Sequence, residues 1–105
     1  MMQSSVEVPV LSDAIRRLGV PLSLVTRHMG FVFVSGIPPL DTHSGDIVSG
    51  DIRTQCDAAL SALRHCLAAA GCGMEDVLSV RLYAANSGFY GAINEVYHLH
   101  FARHY

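Results

Sequence analysis

The chain has 105 residues, half of them hydrophobic and 15% charged, which is the length of one small domain with a single core. Seven arginines, no lysine and nine acidic residues give a net charge of −2 without a basic block, which argues against a nucleic-acid partner. No apolar run approaches the roughly 20 residues that a membrane helix needs, and the amino terminus lacks a signal pattern. We therefore expect a soluble, cytoplasmic protein with no membrane partner, whose apolar surface is buried against copies of itself.

The first predicted elements are a weakly ordered segment, residues 1–18, and a β-hairpin. Residues 22–28 alternate loosely between apolar and polar side chains, and a short turn at Met29 and Gly30 leads into residues 31–35. The run Phe-Val-Phe-Val at residues 31–34 is typical of a strand that is buried on both faces.

The end of this strand is the most informative feature of the sequence. Ser35 and Gly36 stop the strand, and because Gly36 has no Cβ, a ligand or another chain can come close to the backbone there. Pro38 and Pro39 then hold the outgoing segment extended. The alternative interpretation is an ordinary strand followed by a turn.

The middle of the chain predicts a loop, a long helix and a further strand. After the polar loop at residues 41–50, apolar residues recur at spacings of three and four as far as Ala70, with Ser49 or Asp51 as the N-cap and Gly71 after the end. Residues 77–84 then alternate, as expected for a strand with one wetter face. The members of the helical stripe are Ile52, Cys56, Ala59, Leu60, Leu63, Leu67 and Ala70.

The last segment, residues 87–104, is predicted to be helical, with Asn86 or Ser87 as its cap. A long helix between two strands makes a right-handed crossover, so the strands at residues 31–35 and 77–84 should lie parallel in one sheet. Both helices should cover one face of that sheet, and another subunit should bury the other face. The apolar face of the last helix consists of Phe89, Ile93, Val96, Tyr97 and Phe101.

Histidines near the carboxyl end do not make a predicted metal site. His100 and His104 share a helix face at the spacing of metal-binding pairs, with His98 nearby, but two ligands do not close a site. Glu95 and His98 form a single E-x-x-H, whereas di-iron bundles need two. We therefore predict no metal.

The cysteines are predicted to be reduced residues of the core. They are three in number, Cys56, Cys66 and Cys72, without C-x-x-C spacing. Cys66 and His65 are neighbours on a helix and point in different directions, so they cannot form a nucleophile–base pair. The sequence also lacks a phosphate loop, a nucleophile elbow and a dinucleotide fingerprint, so any catalysis should depend on backbone groups and few side chains.

Several ordinary motifs, taken in their order and spacing, resemble the RidA (YjgF) family, also called reactive-intermediate imine deaminases. The resemblance covers residues 19–105. It is carried by residues 31–39, the turn at Gly45 and Asp46, Gln55, residues 68–71 with 74–77, residues 80–84, and residues 94–97 with Phe101.

The resemblance implies a chorismate-mutase-like α+β fold, with a mixed sheet, two helices packed on one face, and assembly into a homotrimer whose sheets form a barrel. It also implies hydrolysis of amino-acid-derived enamines and imines, such as 2-aminoacrylate, to a 2-keto acid and ammonia. Relatives use no metal or organic cofactor, and their pockets lie between subunits. The implied partners are therefore a small-molecule substrate and the chain itself.

For the site, the resemblance implies that the backbone of Ser35, Gly36 and Ile37 lines the substrate pocket and that Tyr90 stands at the place of a family aromatic. Leu22 replaces a pocket tyrosine that many relatives carry. The family arginine that grips the substrate carboxylate belongs to a Pro-Ala-Arg motif, which should begin where this sequence stops, at Tyr105. We therefore expect a single domain, residues 1–105, from which the last two family strands, the arginine and a family glutamate implicated in positioning water are missing.

Three functions stay open at this point. The first is an imine or enamine deaminase, whose catalytic residues the sequence does not assign. The second is a non-catalytic binder of small carboxylates or other metabolites. This function is expected if the sequence is a natural short variant, whereas the enzyme is expected if the sequence is a fragment of a longer chain. The third, a ribonuclease or translation inhibitor, fits the charge of the chain least well.

Overall fold

The computed structural model describes residues 4–20 and 22–101. The bounds of its helices and strands, in chain order, are β1 Ser4–Val6, α1 Leu11–Arg17, β2 Val25–His28, β3 Phe31–Val34, α2 Ile52–Ala69 and α3 Tyr90–His100. Short 3-10 helices at Met74–Asp76 and Ser87–Phe89 stand before and after the segment that joins α2 to α3. Among these residues, no helix is both long enough and apolar enough to cross a membrane.

The predicted hairpin is confirmed, and its turn explains its register. Met29 and Gly30 have φ values of 51° and 82°, the two positive values that a tight two-residue hairpin turn requires. They place His28 opposite Phe31 and Val25 opposite Val34. The strand β1 adds to the other side of β2, so the sheet has the order β1-β2-β3 and is antiparallel throughout.

The prediction of a weakly ordered amino terminus is wrong for the described part of residues 1–18. The helix α1 buries Leu11, Ala14 and Ile15. It follows a tight turn at Val10, whose φ is 70° and across which the amide of Leu11 donates to the carbonyl of Pro9 over 2.8 Å. A helix of two turns shows too few repeats of the 3.6-residue period to be recognised in the sequence.

The strand β3 is not buried on both faces, contrary to the prediction. Phe31 and Phe33 are 56% and 57% exposed, whereas Val32 and Val34 are partly buried and pack against the core. The alternation of a one-sided strand was hidden because the residues on both faces are apolar. One face of the sheet is consequently left uncovered by the described residues, as the sequence predicted.

The long helix was predicted closely and organises two core clusters. Asp51 caps α2 by accepting a hydrogen bond from the amide of Thr54, and Gly71, with a φ of 79°, follows its end. One cluster joins α2 to α1 and the sheet, and the other joins α2 to α3. The first contains Val8, Leu11, Ile15, Leu24, Val25, Leu40, Ala62, Cys66 and Ala70, and the second contains Cys56, Leu60, Leu67, Met74, Val96 and Phe101.

Residues 77–84 do not pair with a strand in the described part of the chain, so the predicted parallel crossover and mixed sheet are wrong there. Leu78 and Tyr83 are 83% and 87% exposed. An alternating sequence makes a strand only when a neighbouring edge accepts its backbone hydrogen bonds. This segment instead faces β3 across an open cleft.

Candidate functional site

A cleft of about 1080 Å³ lies between β3, α2 and the segment before α3. One wall is β3 with the residues that lead out of it, 30–39, and the opposite wall is residues 76–85. Small-molecule sites typically occupy about 300–1,000 Å³ and are mostly apolar with a few polar groups. The cleft is thus slightly larger than the upper limit of that range.

The floor of the cleft is the predicted apolar stripe of α2. Leu60 is 2% exposed and also belongs to the cluster that joins α2 to α3, so the floor is anchored in the core. A floor fixed by packing on its other side keeps its shape when a ligand enters. Its residues are Ile52, Cys56, Ala59, Leu60, Leu63 and Leu67.

The structure places Ser35, Gly36 and Ile37 together along one wall of the cleft. The amide of Ser35 donates to the carbonyl of Leu24 over 2.8 Å, which ties the wall to the start of β2. A Cβ built on Gly36 would meet nothing within 4 Å. The backbone of Gly36 is therefore open to an approaching molecule. Contact of Ser35, Gly36 and Ile37 with a ligand stays a prediction.

Tyr90 is not brought to this wall. It lies at the start of α3, is 71% exposed and is not among the residues that line the cleft, whereas its neighbour Phe89 is. A role for Tyr90 therefore stays a prediction that a second subunit would have to complete.

Polar side chains on the opposite wall were given no role by the sequence reasoning. Asp76 is engaged locally, because its Oδ2 accepts the amide hydrogen of Gly73 over 2.8 Å. Arg81 also lines the cleft, and within the described residues it forms no ion pair. It is a cation on the wall of the cleft, and a guanidinium suits a carboxylate. Its position on the wetter side of an alternating segment was the only signal in the sequence.

Two thiols of α2, Cys56 and Cys66, have raised pKa values. Burial raises the pKa of Cys66 to about 11, and burial, followed by the neighbouring Asp57, also raises the pKa of Cys56. Both changes oppose the thiolate form that a nucleophile needs. His65 donates from Nε2 to the carbonyl of Pro9 at 2.9 Å, so it does not serve Cys66 as a base.

Of the two histidines of α3, His98 is exposed and His100 contacts side chains of α2. His100 contacts Asp57 through Nε2 at 2.7 Å, and its Nδ1 lies 3.4 Å from Nη2 of Arg64. His104 lies outside the described residues. Among those described, no group of three or more His, Cys, Asp or Glu side chains is arranged to hold a metal ion.

Sequence comparison gives a consistent set of relatives. A family model described as endoribonuclease L-PSP matches residues 14–105. A RutC family protein of Pyrococcus horikoshii is 34% identical over 87% of this chain and 71% of its own length. The 2-iminobutanoate/2-iminopropanoate deaminase of Mus musculus is 33% identical over 77% of this chain and 60% of its own length. The 3-aminoacrylate deaminase RutC of Acinetobacter baylyi is 34% identical over 73% and 61%.

Solved structures show the same fold. A crystal structure described as an endoribonuclease L-PSP from Entamoeba histolytica matches 99% of this chain and 80% of its own, with a TM-score of 0.87 and 25% identity. An endoribonuclease structure from Thermotoga maritima matches 99% and 79%, with a TM-score of 0.85 and 30% identity. Escherichia coli TdcF with bound serine matches 78% and 64%, with a TM-score of 0.70 and 26% identity.

Proposed function

Because this chain belongs to the endoribonuclease L-PSP family, also called the RidA or YjgF family, we propose that it takes part in the hydrolysis of reactive enamines and imines, such as 2-aminoacrylate, to 2-keto acids and ammonia. The observation that carries the proposal is its identity of about a third to proteins named imine and aminoacrylate deaminases. The chain spans less than two thirds of the length of those two relatives. The activity is therefore proposed for the protein as a whole, to which these residues contribute the cleft.

The reaction depends more on the positioning of substrate and water than on reactive side chains. The enamine first takes a proton on carbon and becomes the imine. Water then adds across the C=N bond, and the resulting carbinolamine loses ammonia as its carbonyl forms, so one water is consumed for each ammonia released. An anchor for the carboxylate, a polar contact at nitrogen and a placed water satisfy these steps. No thiolate or metal ion is required for this route.

The described cleft supplies part of this arrangement. The backbone at Ser35, Gly36 and Ile37 offers polar groups beside an apolar floor, and Gly36 leaves the space that a planar imine needs for close approach. Arg81 stands across the cleft as a cation that a carboxylate can pair with. These positions support binding of a small, flat carboxylate.

We also propose that the protein works in the cytoplasm as a homotrimer. The uncovered sheet face carries Phe31 and Phe33, both more than half exposed, with Met29 beside them at 65%. Apolar groups in such a patch are usually buried by association. Analytical ultracentrifugation tests the assembly, and a monomeric mass at micromolar concentration would contradict it.

The deaminase proposal is tested with 2-aminoacrylate generated in the assay, by measuring release of ammonia and keto acid above the rate in buffer. Gly36→Ala should slow the reaction without loss of stability, because the added methyl group enters the space above the backbone and meets no atom of the chain. Gly91→Ala is the matched control, since it also meets nothing within 4 Å and lies outside the cleft. Equal rates for the two variants would contradict the assignment of this wall, and no acceleration by the unmodified protein would refute the activity.

A binding protein without turnover is the second candidate. It is favoured by the TdcF structure, which was determined with bound serine, and by Arg81 in the cleft, which forms no ion pair with another described residue. Calorimetric titration with serine or a 2-keto acid separates the candidates. Heat of binding without ammonia release supports the binder, and its loss in Arg81→Ala but not in Arg53→Ala would identify the anchor, because Arg53 pairs with Glu95 elsewhere.

A further inference from the structure

The ring of His100 is a buried ionisable group that the proposed reaction does not use. His100 is the last residue of α3, its side chain is only 10% exposed, and it does not line the cleft. A buried imidazole needs a hydrogen-bond partner for each ring nitrogen. Both partners come from α2, since Nε2 lies 2.7 Å from Oδ1 of Asp57 and Nδ1 lies 3.4 Å from Nη2 of Arg64.

The two partners define where the neutral ring carries its hydrogen. A guanidinium can only donate, so Nδ1 of His100 accepts from Arg64 and has no hydrogen of its own. The hydrogen is therefore on Nε2, which donates it to the carboxylate of Asp57. Asp57 and Arg64 are seven residues apart in α2, which is close to two helical turns. One face of α2 thus presents a negative and a positive group to the same ring.

We propose that Asp57, His100 and Arg64 form a proton-dependent switch between α2 and α3. When the ring takes a proton from solvent at Nδ1, that nitrogen can no longer accept from Arg64, and two positive charges face each other. The ring keeps its bond to Asp57, which becomes an ion pair. It releases Arg64, whose side chain is exposed and can turn into solvent. This inference does not depend on the deaminase activity.

Within the described part of the chain, the other charged groups at this helix interface do not face the ring of His100. Glu95 of α3 pairs with Arg53 of α2 over 2.7 Å. His98, also on α3, is exposed. The 3-10 helix at Ser87–Phe89, which also packs against α3, contains no ionisable residue. The charge of the ring is therefore governed by its two partners on α2.

The switch lies between the two helices that border the cleft. The apolar stripe of α2 forms the floor, and Ile93 of α3 lines the cleft. Phe101, directly after His100, is 2% exposed and belongs to the same core cluster as Leu60 of the floor. Proton binding at His100 therefore acts on a contact that lies next to the floor.

Thermal unfolding of the unmodified chain and of Arg64→Ala tests the switch at about pH 8 and about pH 5.5, a range in which histidine changes charge and arginine does not. At the higher pH, Arg64→Ala should have the lower Tm, because a hydrogen bond to Nδ1 is lost. At the lower pH, this difference should shrink by at least about 2 °C or reverse, because the variant lacks the repulsion. The other histidines are present in both proteins, so their titration cancels in the difference.

Two controls separate the switch from a general effect of charge. Arg53→Ala removes another arginine that joins α2 to α3, but its partner Glu95 is a carboxylate and not an imidazole. Its Tm difference from the unmodified chain should therefore be the same at both pH values. In a His100→Gln background, the effect of Arg64→Ala should also become independent of pH, because glutamine does not titrate.

Asp57→Asn should show the opposite dependence on pH. The amide oxygen of asparagine still accepts from Nε2 but carries no charge, so the loss in Tm should be larger at about pH 5.5 than at about pH 8. Parallel pH profiles for the unmodified chain, Arg64→Ala and Asp57→Asn would overturn the proposal.

Nitrogen NMR of the unmodified chain gives a test that does not require any variant to fold. At about pH 8, the hydrogen of the neutral His100 ring should be on Nε2, since Nδ1 accepts from Arg64. A hydrogen on Nδ1 would mean that Arg64 does not bond to the ring, and the switch would be wrong.

Discussion

Replacement of Gly45 by alanine should destabilise the protein strongly, because two separate costs coincide there. Gly45 lies in the loop after Leu40, where its amide donates to the carbonyl of Asp41 over 2.8 Å and its φ is 79°. A Cβ at this position would lie 2.9 Å from the Cβ of Ala14 and 3.0 Å from a guanidinium nitrogen of Arg17. Arg17 can move aside, but Ala14 is 2% exposed and held in α1.

The expected loss in the free energy of unfolding is the sum of these two costs. An L-residue in the left-handed region costs about 1–2 kcal/mol, and the stiffer unfolded chain returns about 0.4–1 kcal/mol, which leaves about 0.5–1 kcal/mol. Forcing a methyl group into packed surroundings costs about 1–3 kcal/mol. We expect Gly45→Ala to lower the free energy of unfolding by about 1.5–4 kcal/mol.

Gly71→Ala is the control that separates the two costs. Gly71 has the same φ of 79°, but a Cβ there meets nothing within 4 Å. Its replacement should therefore cost only about 0.5–1 kcal/mol, the conformational part of the estimate. Urea unfolding followed by circular dichroism measures both variants, with equal m-values as the check that only stability has changed.

The result that would refute this reasoning is a loss for Gly45→Ala equal to or smaller than that for Gly71→Ala. Such a result would mean that the loop is not packed on α1 as described. The loop matters to the site, because the amide of Val48 donates to the carbonyl of Pro39 over 2.8 Å and so holds the end of the cleft wall. Gly45→Ala should therefore also weaken ligand binding at temperatures where the protein remains folded.

Three further predictions concern α2 and its surroundings. Leu60→Ala should lower the free energy of unfolding by about 2–5 kcal/mol, since the side chain is 2% exposed; a loss below 1 kcal/mol in urea unfolding, well under the usual range, would contradict its place in the core. The backbone hydrogen bond from Thr54 lowers the pKa of Asp51 in the folded protein. The cap therefore stabilises the protein fully at a pH above the unfolded-state pKa of Asp. This stabilisation is lost as the pH falls through the lowered pKa of the folded state. Asp51→Asn still caps but does not titrate, so thermal unfolding of this variant should depend less on pH in the acid range, and identical pH profiles would contradict this. The side chain of Cys66 is buried and its pKa is raised to about 11. Cys66 should therefore react with iodoacetamide at pH 8 far more slowly than half-buried Cys72, which peptide mass mapping would measure. Equal reaction rates would contradict the packing of Cys66.

Local patterns were sufficient for the hairpin and the long helix. The turn at Met29 and Gly30 specifies a tight hairpin through its own backbone angles. The stripe of α2 repeats over five turns, and Asp51 caps it as one of the two predicted residues. Where an element was short, as for α1, the pattern contained too few residues to be recognised.

The glycine and the resemblance singled out Ser35, Gly36 and Ile37, and the structure places them on one wall of the cleft. Their contact with a ligand stays a prediction. Tyr90 lies elsewhere on this chain, and the position of Arg81 on the facing wall was not predicted. Which residues face each other across a cleft depends on how distant segments pack, and spacing along the chain does not contain that information.

The sequence by itself determined the family of the protein, its hairpin, its long amphipathic helix and the exposed backbone at Gly36, because each is written in neighbouring residues or in their order. Only the tertiary structure decided which face of β3 is covered and whether residues 77–84 become a strand. Those outcomes depend on partners that are distant in the chain, since a strand exists only when another edge satisfies its backbone. In the described residues that edge is missing, and a cleft lies in its place.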